Sequence, residues 1–358
     1  MLTMFSSSKN KEIKRLLVVR FSAMGDVAMT VPVVHALACQ NPHLRITVLT
    51  RDRMTDLYGW VPANVQLMGI NLKDYDGIMG LTKLYKQLSK GNFDAVADLH
   101  DVIRTKYLRT CFKMAGTKVA VINKGRDEKK ALIGNGQSHE ALKPMLERYA
   151  EVFRELGLKM DMSAPVLPSM KGHDLMNVNA FAGKKGDGEK WIGVAPFAAH
   201  AQKVYPLDKM RRVVNMLADK GYKVFLFGAG KAENEEMHKW ERDGVLSTSG
   251  KLGGLHNEML LMSRLDLMIS MDSANMHIAS IVGTKVLSIW GATHPKAGFS
   301  GYCQSPQSEM QIDLPCRPCS IYGKTPCKFG DMRCMNFTPE DVVKKVEEMT
   351  PPQIEVKR

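Results

Sequence analysis

An acid stands where the first apolar run of the chain gives way to a helix, in the stretch VVRFSAMGDVAMTVP (residues 18–32). A dinucleotide-binding protein would hold glycines spaced G-x-G-x-x-G here, whereas this chain has one glycine, Gly25, and then Asp26. Aspartate is a preferred helix cap, and it is also a general base able to take a proton from a hydroxyl group. The two roles are compatible, because a capping carboxylate still has a second oxygen. Pro32 predicts that the helix starts near Thr30 or is kinked there.

A second acid ends a later apolar run, in ISMDSANMHIASIVG (residues 269–283). The pattern predicts a strand ending at Asp272 and a helix opened by Ser273 and Ala274. Free amides and the positive dipole end of such a helix attract phosphate. His277 in this helix is either a ligand contact or a hydrogen-bonded core histidine.

Two loops between these stretches carry further polar groups. APFAAHAQKVYP places Lys203 in a loop after a predicted strand, either as a solvated charge or as a partner for a diphosphate. FGAGKAENEE begins with G-x-G but lacks the third glycine of a dinucleotide fingerprint. A two-glycine turn followed by an acid that holds ribose hydroxyls is an equally good interpretation.

The net charge of +13 over 358 residues favours anionic partners, which include nucleic acid, phospholipid headgroups and phosphorylated small molecules. The first half of the chain holds a long basic run, interpreted as a solvated face or as the surface that meets a bulky anionic substrate. Recognised nucleic-acid motifs and interleaved aromatic residues are missing from the sequence, which disfavours a nucleic-acid-binding protein. The run comprises Arg104, Lys106, Arg109, Lys113, Lys118, Lys124, Arg126, Lys129 and Lys130.

Five of the seven cysteines fall late in the chain, four of them in the pattern C-x2-C-x7-C-x6-C. C-x2-C is half of many zinc sites, but C-x6-C is a poor partner for it. We therefore expect buried thiols or a redox-labile pair rather than zinc, and we expect Cys39 and Cys111 to be core thiols. The four cysteines of the pattern are Cys316, Cys319, Cys327 and Cys334.

Short β-rich runs alternate with helical patterns in both halves of the chain, which predicts an α/β protein with doubly wound parallel sheets. The start of the chain lacks the apolar core of a secretory signal, and the sequence has no run of about 20 apolar residues. We therefore expect a cytoplasmic protein that at most rests against a membrane. The predicted units are a first domain at 12–170, a linker at 171–190, a second domain at 191–338 and a terminal helix at 339–350.

Taken together, the motifs resemble glycosyltransferase family 9, the heptosyltransferases of lipopolysaccharide core synthesis. The resemblance spans residues 15 to about 346, and it depends on the collinear order of the motifs rather than on any single one. The motifs are GDVAMTVP, P…K-V-Y-P, FGAGKAENE, the stretch from SGKLGG to MHIAS, GATHP, and the cysteine segment before FTPEDV.

The resemblance implies a GT-B fold, in which two Rossmann-like domains face each other across a cleft. It also implies inverting transfer of a sugar, without metal or cofactor, typically from ADP-heptose to a Kdo or heptose hydroxyl of an anionic lipid-linked core saccharide. Other GT-B activities, an N-acetylhexosaminyl transferase or a nucleotide-sugar epimerase, are the alternatives within enzymes. An inactive scaffold and a basic nucleic-acid-binding protein are the alternatives outside them. Loose contact with the inner membrane face follows from the basic charge and the lipid acceptor.

The resemblance also implies roles for particular residues. Asp26 aligns with the general base, and Lys203 with the lysine that contacts the donor phosphate. Tyr205 stands where the family usually has tryptophan, and Ala274 replaces the glycine of the donor motif. The implied donor-binding residues are Pro196, Asp272, Ser273, Ala274, His277 and Glu233, with Glu235 as the alternative acid; the expected acceptor-binding residues are Arg104, Lys106, Lys124 and Arg126.

Overall fold

The computed structural model describes residues 12–164, 170 and 172–351. The first half of the chain forms a five-stranded parallel sheet in the order β3-β2-β1-β4-β5. Its strands are β1 (Arg15–Val19), β2 (Arg45–Arg51), β3 (Val65–Ile70), β4 (Ala95–Asp98) and β5 (Lys118–Val121). Its helices are α1 (Met24–Gln40), α2 (Gly77–Ser89), α3 (Ile103–Met114), α4 (Arg126–Leu132) and α5 (Met145–Glu155).

The second half forms a six-stranded parallel sheet in the order β11-β10-β9-β6-β7-β8. Its strands are β6 (Trp191–Ala195), β7 (Lys223–Leu226), β8 (Val245–Ser247), β9 (Leu267–Met271), β10 (Val286–Trp290) and β11 (Glu309–Gln311). The helices of this half are α6 (Met176–Ala182), α7 (Leu207–Asp219), α8 (Lys231–His238), α9 (Leu255–Met262), α10 (Ala274–Ile281) and α11 (Pro339–Met349). Two doubly wound α/β domains are therefore present, as the sequence predicts.

Burial on both faces of each sheet explains why the central strands are continuous apolar runs. In β1, Leu16 and Val18 belong to the core that includes α1 and α5, whereas Leu17 and Val19 belong to the core that includes α2 and α3. Successive side chains of a strand point to opposite faces, so α2 and α3 cover one face of the first sheet and α1 and α5 the other.

The two domains meet where the first turn of α1 packs against the first turn of α10. A Cβ atom added at Gly25 would lie 3.0 Å from Cδ2 of His277 and 3.4 Å from Cα of Ala274. Backbone hydrogen bonds cross between the domains nearby, including one from the Met145 amide to the Gly298 carbonyl. The glycine before Asp26 therefore allows the two helices to approach closely.

Two local features differ from the sequence predictions. Helix α1 begins at Met24 and contains Pro32, so a helix start near Thr30 is wrong. The segment predicted as a linker, 171–190, contains α6, whose Val178 and Ala182 are buried in the core. Within the ranges the structure describes, no helix is long and apolar enough to cross a membrane.

Candidate active site

Asp26 lies in the first turn of α1, at the carboxyl end of the central strand β1. Its Oδ2 accepts a hydrogen bond from the backbone amide of Ala23 at 3.1 Å and lies 2.7 Å from Nη2 of Arg20. Arg20 is 4% exposed, and its Nη1 donates to the carbonyl of Leu99 at 2.6 Å. The contacts found for Asp26 in the described part of the chain all use Oδ2. Asp26 therefore caps the start of α1 through Oδ2.

The Asp26 carboxylate lines a cavity of about 200 Å³ between the domains. Phe299 and Tyr322 contribute the wall from the second domain, so the cavity exists only when both domains are in place. The other lining residues are Arg20, Ser22, Ala23, His100, Lys124, Lys129 and Met145.

The facing site is built at the ends of strands β6 and β9, which are neighbours in the second sheet. The Lys203 ammonium lies in a 3-10 turn after β6 and contacts Oδ2 of Asp272, the residue after β9, at 2.8 Å. Both side chains are largely buried. Gly323, with φ of +74°, passes so close to Lys203 that a Cβ atom there would lie 2.5 Å from Cγ of the lysine. The late cysteine segment thus fixes the stem of Lys203 and leaves its charge beside Asp272.

Helix α10 opens directly after Asp272, with Ser273 in extended backbone at its start. Ala274 is not among the described residues with positive φ, so alanine replaces the expected glycine without backbone strain. His277 is buried, and its Nδ1 has no hydrogen-bond partner among residues 12–164, 170 and 172–351. Burial lowers the pKa of His277 to about 4, against the opposing charges of Asp272 and Asp26. The imidazole is therefore neutral near pH 7.

The contact between α1 and α10 brings the helix that begins beside Asp26 against the helix that contains His277. His277 lies against Gly25, the neighbour of Asp26, and only five residues after Asp272. The Cδ2–Nε2 edge of His277 faces Gly25, so the first turn of α1, which contains Asp26, meets the start of α10. Proton acceptance on one wall and anion stabilisation on the other are the chemistry this arrangement supports.

Comparison with known proteins identifies the family of the chain. The model of glycosyltransferase family 9 (heptosyltransferase) matches residues 81–326, more than half of the chain. The chain belongs to glycosyltransferase family 9. It is therefore a glycosyltransferase, as the sequence resemblance implies.

Curated relatives of this family 9 enzyme are similar over most of its length. The chain is 26% identical to lipopolysaccharide heptosyltransferase 3 of Escherichia coli K12 over 285 residues, which cover 75% of this chain and 80% of the relative. It is 25% identical to the lipopolysaccharide core heptosyltransferase OpsX of Haemophilus influenzae over 287 residues, covering 79% and 80% respectively.

Solved structures share the fold of the enzyme. ADP-heptose lipopolysaccharide heptosyltransferase II of E. coli superposes with a TM-score of 0.69 at 17% identity, covering 94% of this chain and 98% of the other. A family 9 glycosyltransferase of Veillonella parvula superposes with a TM-score of 0.71 at 20% identity, covering 94% and 97%. The GT-B arrangement implied by the sequence resemblance is confirmed.

The remaining donor-side residues lie at the same edge of the second sheet. Pro196 is buried directly after β6. Glu233, in the first turn of α8, turns its carboxylate back to accept from the backbone amide of Ala229 at 2.8 Å. Glu235 instead pairs with Lys231 on the exposed side of the helix, at 3.8 Å. Of the two acids, Glu233 is the one at the strand end.

The four expected acceptor-binding cations are not all in one place. Lys124 lines the cavity that contains Asp26. Arg126 and Lys106 both pair with Asp101, at 2.8 and 3.9 Å. Arg104 lines a separate cavity of about 600 Å³ at the ends of β2 and β3.

Among the described residues, neither the cysteines nor Tyr205 lines the cavity that contains Asp26. All seven thiols are free, and no group of three His, Cys, Asp or Glu side chains in those residues is arranged to hold a metal. Cys39 is exposed and Cys111 half-buried, so the prediction of core thiols is wrong for both. Tyr205 is fully buried, stacks on Phe337 and donates its hydroxyl hydrogen to the Phe337 carbonyl at 2.8 Å. The Trp-to-Tyr difference is thus a core substitution.

Sequence patterns do not identify several residues that line the cavity around Asp26. Arg20 ends the first strand, and a charge closing an apolar run is a signal that could have identified it. Lys129 was visible only as one member of a basic run. Tyr322 lies in the cysteine segment, and a single aromatic residue there is not a signal for a cleft residue. His100 follows β4 and lines the cavity.

Gly25→Ala tests the close approach of α1 and α10. The added methyl group would press on His277, which costs about 1–3 kcal/mol for overpacking, while alanine favours the helix by up to about 1 kcal/mol. Because these effects oppose each other, we expect only a small loss of stability. We also expect turnover to fall about tenfold, because the added methyl group changes the position of α1 relative to α10. Denaturant unfolding and kinetics measure the two. Gly186→Ala, in an open loop, is the control; equal behaviour of both variants would contradict the assigned role of Gly25.

Proposed function

We propose that this enzyme transfers a heptose from ADP-heptose to a hydroxyl group of a lipopolysaccharide or lipooligosaccharide core precursor, with inversion at the anomeric carbon. The observation that carries the proposal is the contact of α1 with α10, which brings Gly25, the neighbour of Asp26, against Ala274 and His277 of the donor-side helix. The names of the curated relatives, lipopolysaccharide heptosyltransferases, support the sugar and the acceptor.

The reaction is a single displacement. Asp26 accepts the proton of the acceptor hydroxyl, and the freed oxygen forms a bond to the anomeric carbon. The bond from that carbon to the diphosphate oxygen breaks, and its electron pair leaves with the nucleotide diphosphate. Attack from the face opposite the leaving group inverts the anomeric configuration. One base is therefore sufficient for this transfer.

The leaving diphosphate carries developing negative charge that the second domain is built to receive. Lys203 moves its ammonium from Asp272 to the phosphate, and the free amides at the start of α10 supply further donors. These groups supply the positive charge that the step requires, so we propose that it proceeds without metal or cofactor. Glu233 is placed to hold ribose hydroxyls, and Pro196, Ser273, Ala274 and His277 form the rest of the donor surface.

The acceptor side is cationic, which suits an anionic core saccharide. Lys124 faces the cavity beside Asp26, and Lys106, Arg126 and Arg104 continue the basic surface along the edge of the first sheet. Because such an acceptor is linked to lipid A, we place the enzyme at the cytoplasmic face of the inner membrane.

Donor selection gives the first test of the proposal. Thermal unfolding is measured with ADP-, GDP- and UDP-sugars, and ADP-heptose is expected to raise Tm by the largest amount, since it binds the folded state alone. Transfer is then measured with ADP-heptose and a Kdo-containing core acceptor, and the product's anomeric configuration is read by NMR. Conversion of the sugar nucleotide without acceptor would instead indicate an epimerase. Binding of RNA or DNA with no response to sugar nucleotides would overturn the proposal.

The buried lysine of the acceptor cavity predicts a pH dependence. Burial, with the nearby charge of Arg148, lowers the pKa of Lys129 to about 8, and its side chain lies over the Phe299 ring. Lys129 is therefore charged below pH 8 and neutral above it. We expect KM for the anionic acceptor to rise as pH passes 8, while KM for the donor stays constant. Lys129→Met should raise acceptor KM at pH 7 and remove that rise; an unchanged acceptor profile in the variant would exclude Lys129 from acceptor binding.

A further inference from the structure

Three large apolar side chains at one end of the first domain face solvent. Ile78 and Met79, at the start of α2, are 72% and 88% exposed, and Ile103, the first residue of α3, is 85% exposed. Single exposed apolar residues are ordinary on a soluble protein, but a cluster indicates a binding surface. We call these three residues the α2–α3 tip.

Contacts between the two helices bring the three residues to the same place. Arg104, which follows Ile103, pairs with Asp76, which precedes α2, at 3.0 Å. One turn further along, the Thr82 and Tyr107 hydroxyl groups are 2.6 Å apart. The helices therefore run side by side from a common end, and the tip is one surface.

Basic residues surround the tip. Neither α2 nor α3 contains an acidic residue, and together they carry Lys83, Lys86, Arg104, Lys106, Arg109 and Lys113. The adjoining 600 Å³ cavity adds Arg51, Arg53 and Lys73. The acids nearby are Asp52, Asp74, Asp76, Asp98 and Asp101. Asp76 pairs with Arg104, and Asp98 and Asp101 pair with Arg109, so the net excess of positive charge comes from the remaining lysines and arginines. The surface is apolar at its centre and positive around it.

The tip also lies at the correct edge of the domain for a lipid-linked acceptor. Helix α3 begins just beyond the carboxyl end of β4, the neighbour of β1, and Asp26 follows the carboxyl end of β1. Lys106 of α3 reaches Asp101, which also holds Arg126 and accepts through its carbonyl from Lys124. A line of polar contacts thus connects the tip with the cavity that contains Asp26.

We propose that the α2–α3 tip docks on an anionic phospholipid bilayer. Ile78, Met79 and Ile103 enter the interfacial region of the bilayer, and the surrounding lysines and arginines pair with headgroup phosphates. This docking turns the cavity with Asp26 toward the membrane that presents the acceptor. The inference depends on the proposed function only in taking the acceptor to be lipid-linked.

Vesicle sedimentation tests the docking without any activity measurement. The full chain is mixed with vesicles of phosphatidylethanolamine and phosphatidylglycerol at 3:1, and in parallel with phosphatidylcholine vesicles. We expect binding to the anionic vesicles alone at low salt, weakened by added salt. The variant Ile78→Ser/Met79→Ser/Ile103→Ser should bind about tenfold or more weakly, because less apolar surface enters the interface. Met114→Ser, at the far end of α3 and 84% exposed, is the matched control and should bind like the unaltered protein.

Activity separates this inference from the proposed function. The triple variant should transfer sugar to a soluble, delipidated acceptor at the unaltered rate and lose activity only on acceptor embedded in anionic vesicles. Equal vesicle binding by the triple and control variants would overturn the docking. Binding that appears only when the lipid-linked acceptor is present would also overturn it, since the tip would then hold acyl chains of the substrate. Absence of transfer with intact vesicle binding would refute the function and leave the docking standing.

Discussion

Asp26→Asn is expected to lower turnover by about a hundredfold or more while donor affinity stays within about twofold. Asparagine keeps the size of the side chain and still accepts from the Ala23 amide and from Arg20, so the start of α1 remains formed. It cannot accept the proton of the attacking hydroxyl. Turnover is measured with saturating donor and acceptor, and donor binding by calorimetry.

Asp208→Asn is the matched control for this result. Asp208 also lies in the first turn of a helix, α7, but it is exposed, belongs to the second domain and does not line the cavity that contains Asp26. We expect its turnover to equal that of the unaltered enzyme. An Asp26→Asn variant with normal turnover would remove Asp26 from the chemistry, even if the family assignment stands.

Lys203→Met is expected to have the second large effect, a fall of about a hundredfold in kcat/KM for the donor. Methionine keeps much of the stem that packs against Gly323 and removes the ammonium group. The largely buried Asp272 then loses its partner, so stability should fall by about 1–3 kcal/mol. Donor binding, steady-state kinetics and denaturant unfolding measure the three quantities.

Lys203→Arg separates the role of the charge from that of packing. A guanidinium keeps the positive charge and can still pair with Asp272 or a phosphate. We expect it to retain more donor affinity and more stability than Lys203→Met. Donor kinetics of Lys203→Met equal to those of the unaltered enzyme would refute the assigned role, whereas a loss of stability alone would leave Lys203 as a structural partner of Asp272.

The sequence predicts the central strands well because they are buried on both sides. β1, β4, β6, β9 and β10 are short, mainly apolar runs between turns, which is the pattern that predicts buried parallel strands. Strands β3 and β11 lie at sheet edges with half-exposed side chains, so their patterns are too weak to identify. Pro32 wrongly suggests a later start of α1, because packing keeps the helix formed on both sides of the proline.

The candidate site likewise combines residues that a local sequence pattern identifies with contacts between distant residues that it does not. Asp26 and Lys203 lie in the segments directly after β1 and β6, and Asp272 immediately follows β9, so a local pattern is enough to single them out. The pairing of Lys203 with Asp272 joins the ends of two strands far apart in sequence, and no local pattern predicts it. The placement of Tyr322 beside Asp26 requires both domains to be assembled. The need for glycine at position 25 comes from its contact with His277 of the other domain, and no local pattern predicts that contact.

A crystal structure of the enzyme with ADP-2-deoxy-2-fluoro-heptose, an analogue held by E. coli heptosyltransferase WaaC in a solved structure, tests the shared cleft most directly. The diphosphate should lie within about 3.5 Å of Nζ of Lys203 and at the start of α10. The anomeric carbon should lie within about 6 Å of the Asp26 carboxylate, which leaves room for one acceptor oxygen between them. A donor bound with its anomeric carbon facing away from Asp26, or with its diphosphate outside the cleft, would contradict the account.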